Sequence, residues 1–181
     1  MIAPKSFAKS LFLLIVLSVS TAGLSRAQST KPVQKAAEPA VLDTTNYSVK
    51  IPTSWRHFDK AAGEFTALYI MAPPVNNFSP NVNIIGTPTG NISMDEFFNG
   101  NMESMKAGNM APDSSGDFET NGLKGKFYTT KVDYKGTSIA IKSYLLLHNG
   151  VGYVLTGACL TSQRKDYYPM FEDIVHSFKL K

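Results

Sequence analysis

The chain has 181 residues, a formal net charge of +4, 43% hydrophobic residues and one cysteine. A single cysteine excludes an internal disulfide framework, so the fold rests on its core. The charge belongs to the first segment: without Lys5, Lys9 and Arg26 the chain carries 15 basic and 14 acidic side chains. No run of Lys and Arg interleaved with aromatics remains, so no nucleic-acid partner is expected.

The opening segment MIAPKSFAKSLFLLIVLSVSTAGLSRA has two lysines, an apolar run over 11–19 and a small-x-small site at Ser25-Arg26-Ala27. This is the pattern of a secretory signal (1–27) cleaved after Ala27, with export to the periplasm or the exterior. The run is shorter than the roughly 20 residues of a bilayer span, and no later segment reaches that length. No membrane span is therefore expected after cleavage; retention as an N-terminal anchor is the other use open to such a segment. No cysteine follows the apolar run, so no lipid attachment is expected there. Residues 28–45, QSTKPVQKAAEPAVLDTT, are small and polar with Pro32 and Pro39 and read as a flexible linker. One domain, 46–181, follows.

Tyr47, Val49 and Ile51 alternate with polar residues as in a half-buried strand, which Pro52 ends. Trp55 follows a short turn at the core edge. The segments 64–73 and 81–86 read as the next strands. Ser93 with Glu96 forms a capping box, and Met94, Phe97, Phe98, Met102 and Met105 make one apolar stripe, predicting a helix over 93–107 that stops at Gly108. Residues 109–117 read as a loop. A meander follows, turned at Asn121-Gly122, Lys135-Gly136 and Asn149-Gly150. Pro169 in a first turn predicts a closing helix over 169–177, with Phe178 and Leu180 in a short extended end.

Cys159 and His148 invite a reading as nucleophile and base. An Asn149-Gly150 hairpin pairs His148 with Val151, Tyr144 with Leu155 and Ala140 with Cys159. It separates Cys159 from His148 by roughly 25 Å, against the roughly 3 Å that such a pair needs. The same register makes both faces of the hairpin apolar. Ile139, Ile141, Leu145, Val154 and Ala158 lie on one face, and Ala140, Tyr144, Leu146, Tyr153, Leu155 and Cys159 on the other. A strand pair apolar on both faces is covered on both faces. The fold expected is therefore α+β: an antiparallel sheet of about six to seven strands with helices on both sides.

The other candidates for chemistry are weaker. His57 near Asp59, and His176, have no second histidine at ligand spacing. Ser162-Gln163-Arg164-Lys165 matches S-x-x-K without its companion motifs. Met102 and Met105 belong to the helix stripe before they belong, with Met110, to a soft-metal site. The sequons at Asn46 and Asn91 carry no assigned role. No cofactor and no catalytic or metal-binding residue is expected.

The order of features resembles the PsbP-like superfamily. The segments that carry the resemblance are YSVKIPTSW, FSPNVNII, SMDEFFNGNMESMKA, GVGYVLTGAC and YYPMFEDIVHSFKL, together spanning 46–180. That superfamily includes photosystem accessory proteins and bacterial DcrB-type and LpqN-type proteins. The resemblance implies an α/β/α sandwich and a non-enzymatic accessory, docking or ligand-binding role. It also implies structural roles for Tyr47, Pro52, Trp55, Asn81, Asn83, Phe171, Ser177 and Phe178. A simple secretory signal argues against a photosystem role, and the missing lipidation cysteine favours a soluble exported form. The function expected is an exported accessory domain that binds an unidentified protein or envelope component through loops 73–80, 86–92 and 108–117. Pro73, Pro74, Phe78, Asn91, Met110 and Asp113 are its candidate contacts. The alternatives are a small hydrophobic ligand or lipid held between the sheet and helix 93–107, and an unrecognised hydrolase.

Overall fold

The computed structural model describes residues 39–62 and 65–181. The expected signal and residues 28–38 of the expected linker lie outside the described residues. The rest of that linker needs correction: β1 (Ala40–Asp43) is a strand, paired antiparallel with β2 (Tyr47–Ile51). The closing strand β10 (Lys179–Leu180) flanks β2 on its other side, giving a three-stranded sheet β1-β2-β10.

The main sheet has seven antiparallel strands in the order β3-β4-β5-β9-β8-β7-β6. They are β3 (Arg56–Ala62), β4 (Phe65–Met71), β5 (Asn81–Pro88), β6 (Pro112–Thr120), β7 (Leu123–Tyr134), β8 (Thr137–His148) and β9 (Val151–Leu160). The expected turns form as mirror-image turns, with positive φ at Asn121, Gly122, Lys135, Gly136, Asn149 and Gly150. The predicted register holds residue for residue: His148↔Val151, Tyr144↔Leu155 and Ala140↔Cys159.

Two segments without a strand pattern are edge strands. β3 escapes a reading by periodicity because RHFDKAA has no apolar alternation. The expected loop 109–117 shrinks to the residues before Pro112, where β6 begins. Edge strands bury little, so hydropathy does not mark them.

Helix α1 (Met94–Ala107) starts at the predicted box: the Glu96 N–H donates to Ser93 Oγ at 3.2 Å, and the Ser93 N–H donates to Glu96 Oε2 at 2.7 Å. Helix α2 (Arg164–His176) begins five residues before Pro169, correcting the predicted start. The 3-10 turn Thr161–Gln163 feeds it directly from β9. Pro169 sits inside, on the exposed side, where the unpaired carbonyl of exposed Lys165 can reach water.

The two helices take opposite faces of the main sheet. Phe97 and Met105 of α1 pack on Tyr128, Leu145 and Val154. Phe171, Ile174 and Val175 of α2 pack on Tyr144, Leu155 and Cys159, and on Val49 and Ile51 of the small sheet. This is the expected helix-covered antiparallel sheet, with a small second sheet added on the α2 side.

Candidate functional site

One row of paired residues crosses the whole main sheet: Arg56, Met71, Asn81, Ala158, Ile141, Thr130 and Pro112. Loops 73–80 and 108–111 leave from that end. Loop 86–92 leaves from the other, where the Thr89 and Gly90 N–H groups donate to Gly150 O at 2.7 and 3.2 Å. β5 alone separates the ends by about 23 Å. The three expected loops therefore do not form one patch, and Asn91, exposed on 86–92, stands apart.

The other five positions differ in kind. Met110 is half-buried against the α1 cluster. Asp113 lies on β6, with a carboxylate oxygen 3.8 Å from Lys131 Nζ. Phe78 is 4% exposed and packs on Ile139, Ile141 and Ala158, so it is an anchor and not a contact. Pro73 and Pro74 are exposed.

The chain around Phe78 is closely held. Val75 N–H donates to Phe78 O at 2.8 Å and Phe78 N–H to Val75 O at 3.1 Å, a miniature hairpin. Its two turn residues, Asn76 and Asn77, have φ of 50° and 61°, a conformation asparagine tolerates better than most residues. The Ala72 N–H donates to Pro80 O at 2.8 Å, and Asn81 Nδ2 donates to Ser79 O at 3.0 Å. The two prolines stiffen the approach. The result is a fixed knob with Val75 41% exposed beside its Asn76-Asn77 turn. The Asn-Asn turn is the signal for it in the sequence.

The positions named by resemblance lie in the scaffold. Tyr47 meets Phe178 at 4.9 Å between ring centres, and Trp55 meets Phe171 edge-on at 6.4 Å. Burial first, and the Asp59 charge second, push the Tyr47 hydroxyl up to about 12. Pro52 O accepts the Trp55 N–H at 2.9 Å and closes the turn after β2. Ser177 Oγ accepts the Lys50 N–H at 2.8 Å, tying the end of α2 to β2. Asn83 is buried in β5.

Cys159 is fully buried, and burial pushes its thiol up to about 12, the opposite of what a nucleophile needs. Ser162 is exposed, and its hydroxyl makes no hydrogen bond to a base among the described residues. His57, His148 and His176 lie on β3, at the end of β8 and at the end of α2; no three metal-ligating side chains group together among the described residues. Between α1 and β8–β9 the space is filled. A Cβ on Gly152 would lie 2.5 Å from the Phe97 ring, and Met105 is fully buried. A ligand at that place would have to displace core.

Two polar features remain. A cleft of about 610 Å³ opens beside the start of α1 and β6–β7, lined by Met94, Phe118 and Lys126 among others. Lys126 Nζ is already paired there, 3.3 Å from Asp95 and 2.9 Å from Asp117. On the α2 side, Lys142 Nζ pairs with Glu172 and lies 5.0, 5.2 and 5.8 Å from the ring centres of Phe127, Tyr144 and Tyr168. The box pins β8 to α2. The Tyr144 hydroxyl is buried without a hydrogen-bond partner among the described residues, and burial first and the Glu172 charge second hold it protonated. Tyr144→Phe removes that unmet cost, so it is expected to raise unfolding stability by about 1 kcal/mol. The readout is a higher urea midpoint at unchanged slope. A lower midpoint would show that the hydroxyl is satisfied in solution.

No protein-family pattern and no curated protein matches the sequence. Solved structures do. The Synechocystis PsbP protein CyanoP aligns with a TM-score of 0.63 at 10% identity, covering 85% of this chain and 98% of that one. LpqN of Mycobacterium tuberculosis, described as involved in cell envelope biogenesis, gives 0.54 at 14% identity, with 83% and 90% covered. A Pseudomonas aeruginosa protein of unknown function, described as a putative regulator, gives 0.58 at 8% identity, with 78% and 96% covered. The chain has a PsbP-like fold. Among the described residues no helix is long and apolar enough to cross a membrane.

Proposed function

We propose that this chain is an exported, non-enzymatic accessory domain that docks a protein partner of the cell envelope through the Pro73–Asn77 knob. The observation that carries the reading is Val75, 41% exposed on a hairpin whose other end, Phe78, is sunk in the core. An apolar side chain held out on a pre-ordered loop loses little entropy on binding, and such loops carry function more often than their scaffold does. The leader segment supports export. The fold likeness to LpqN, a protein of envelope biogenesis, supports the compartment.

The test is photo-cross-linking in cells that export the chain, with the reactive side chain at position 75 and, as control, at exposed position 41. Position 75 should give one discrete adduct that Pro73→Ala/Pro74→Ala weakens. Equal labelling from both positions would end the docking reading.

A further inference from the structure

The main sheet has two edges, and they are finished differently. β6 opens on Pro112, its register slips between Pro112 and Ser114, and Asp113 and Asp117 pair with Lys131 and Lys126 of β7. Proline and a bulge are devices that stop another strand from adding. β3 has neither. It pairs with β4 without interruption from Arg56↔Met71 to Ala62↔Phe65, and residues 56–61 are all exposed. No described strand lies beyond it.

The side chains along β3 define what it could accept. Arg56, Phe58 and Lys60 share one face, that of Tyr69. Phe58 stacks on the Tyr69 ring at 5.6 Å and 11° and is still 43% exposed; Lys60 Nζ lies 6.0 Å from the same ring centre. Neither Arg56 nor Lys60 takes part in an ion pair among the described residues. Cross-strand neighbours on one face are stabilised by opposite charge and by apolar contact. The matching segment is therefore acid–x–apolar–x–acid in extended form.

We infer that β3 is a strand-addition edge for an extended segment of a partner protein in which two acidic side chains flank an apolar one at two-residue spacing. A second copy of this chain does not fit in any two-fold register that overlaps five or more β3 residues. A two-fold antiparallel pairing of β3 with itself centred on Phe58 opposes Arg56 to Lys60. Centring on Asp59 opposes Asp59 to itself, and centring on Lys60 opposes the two lysines. Like charges directly opposite are destabilising. The partner is thus a different protein. This inference rests on the docking reading and sharpens it. Arg56 pairs with Met71, two residues before Pro73, so the edge begins at the same end of the sheet as the Pro73–Asn77 knob. Main-chain pairing along the edge supplies affinity and the alternating side chains supply selectivity.

The experiment titrates the full, isotopically labelled chain with the peptide Thr-Glu-Thr-Val-Thr-Glu-Thr and with its Glu→Lys counterpart. Amide exchange and chemical shifts are followed residue by residue. The acidic peptide should slow exchange at alternate amides of β3, the signature of one newly paired edge. Arg56→Glu/Lys60→Glu should weaken it by about tenfold at low salt and make the lysine peptide the better ligand. Both substitutions are on exposed side chains, so folding is preserved. Equal binding of the two peptides, no binding, or protection that does not alternate along β3 overturns strand addition. Shifts confined to 73–77 overturn it too, while leaving the knob as the docking element. A lost cross-link at position 75 with β3 protection intact would instead sink the knob alone.

Discussion

Phe171→Ala is expected to lower the unfolding free energy by about 3–5 kcal/mol, the cost of emptying a buried aromatic site that cannot collapse. Phe171 is fully buried, with the rings of Trp55, Tyr167 and Tyr168 at 6.2–6.4 Å on one side and the bare backbone of Gly157 on the other. It joins α2, the main sheet and the turn after β2. Domains are stable by only about 5–15 kcal/mol, so the variant should be marginal at 25 °C and unfold early in urea. Labelling of the buried Cys159 thiol should accelerate in parallel, because that thiol shares the cluster. A loss below about 1 kcal/mol would mean that α2 is not anchored by this ring.

Gly157→Ala should cost about 1–3 kcal/mol or more by the reverse mechanism. The added Cβ would stand 2.4 Å from Phe171 Cδ2 and 2.6 Å from Cγ, closer than packed atoms come, and the ring is hemmed in by its aromatic neighbours. The double variant Gly157→Ala/Phe171→Leu should be more stable than the sum of its single losses predicts, by about 0.5–3 kcal/mol, because the smaller side chain vacates the contested space. Strict additivity would show that the glycine is required for some other reason.

These two residues also show how far sequence can reach. The sheet from Asn121 to Leu160 is legible because its turns are Asn-Gly or Lys-Gly, and because a strand pair apolar on both faces demands a cover on each. α1 is legible from its cap and stripe. Gly157 is not: a glycine that makes room for a ring looks like any other glycine until the ring is placed. β1, β3 and β6 hide because strands at an edge have no reason to alternate. The start of α2 hides because Pro169 imitates a first turn when it is in fact a solvent-facing interior residue. Loop 73–80 is half legible. Its prolines are exposed, whereas Phe78, named as a candidate contact, is found in the core, because nothing local says that the hairpin turns it inward.

The strand order has a kinetic consequence. β3–β4–β5 and β6–β7–β8–β9 are each built from neighbours in sequence, and such local pairings form fast. The two halves meet along one junction, Pro88↔Val151 to Asn81↔Ala158, which closes only after α1 and the whole second half have been made. Loop closure is therefore spent once, at β5 and β9, and the chain assembles as two modules that must then find each other. The same junction is the natural line of partial opening. A fluctuation there would release β3–β4–β5, with the knob and the free edge, as one cooperative unit while the β6–β9 meander stays closed.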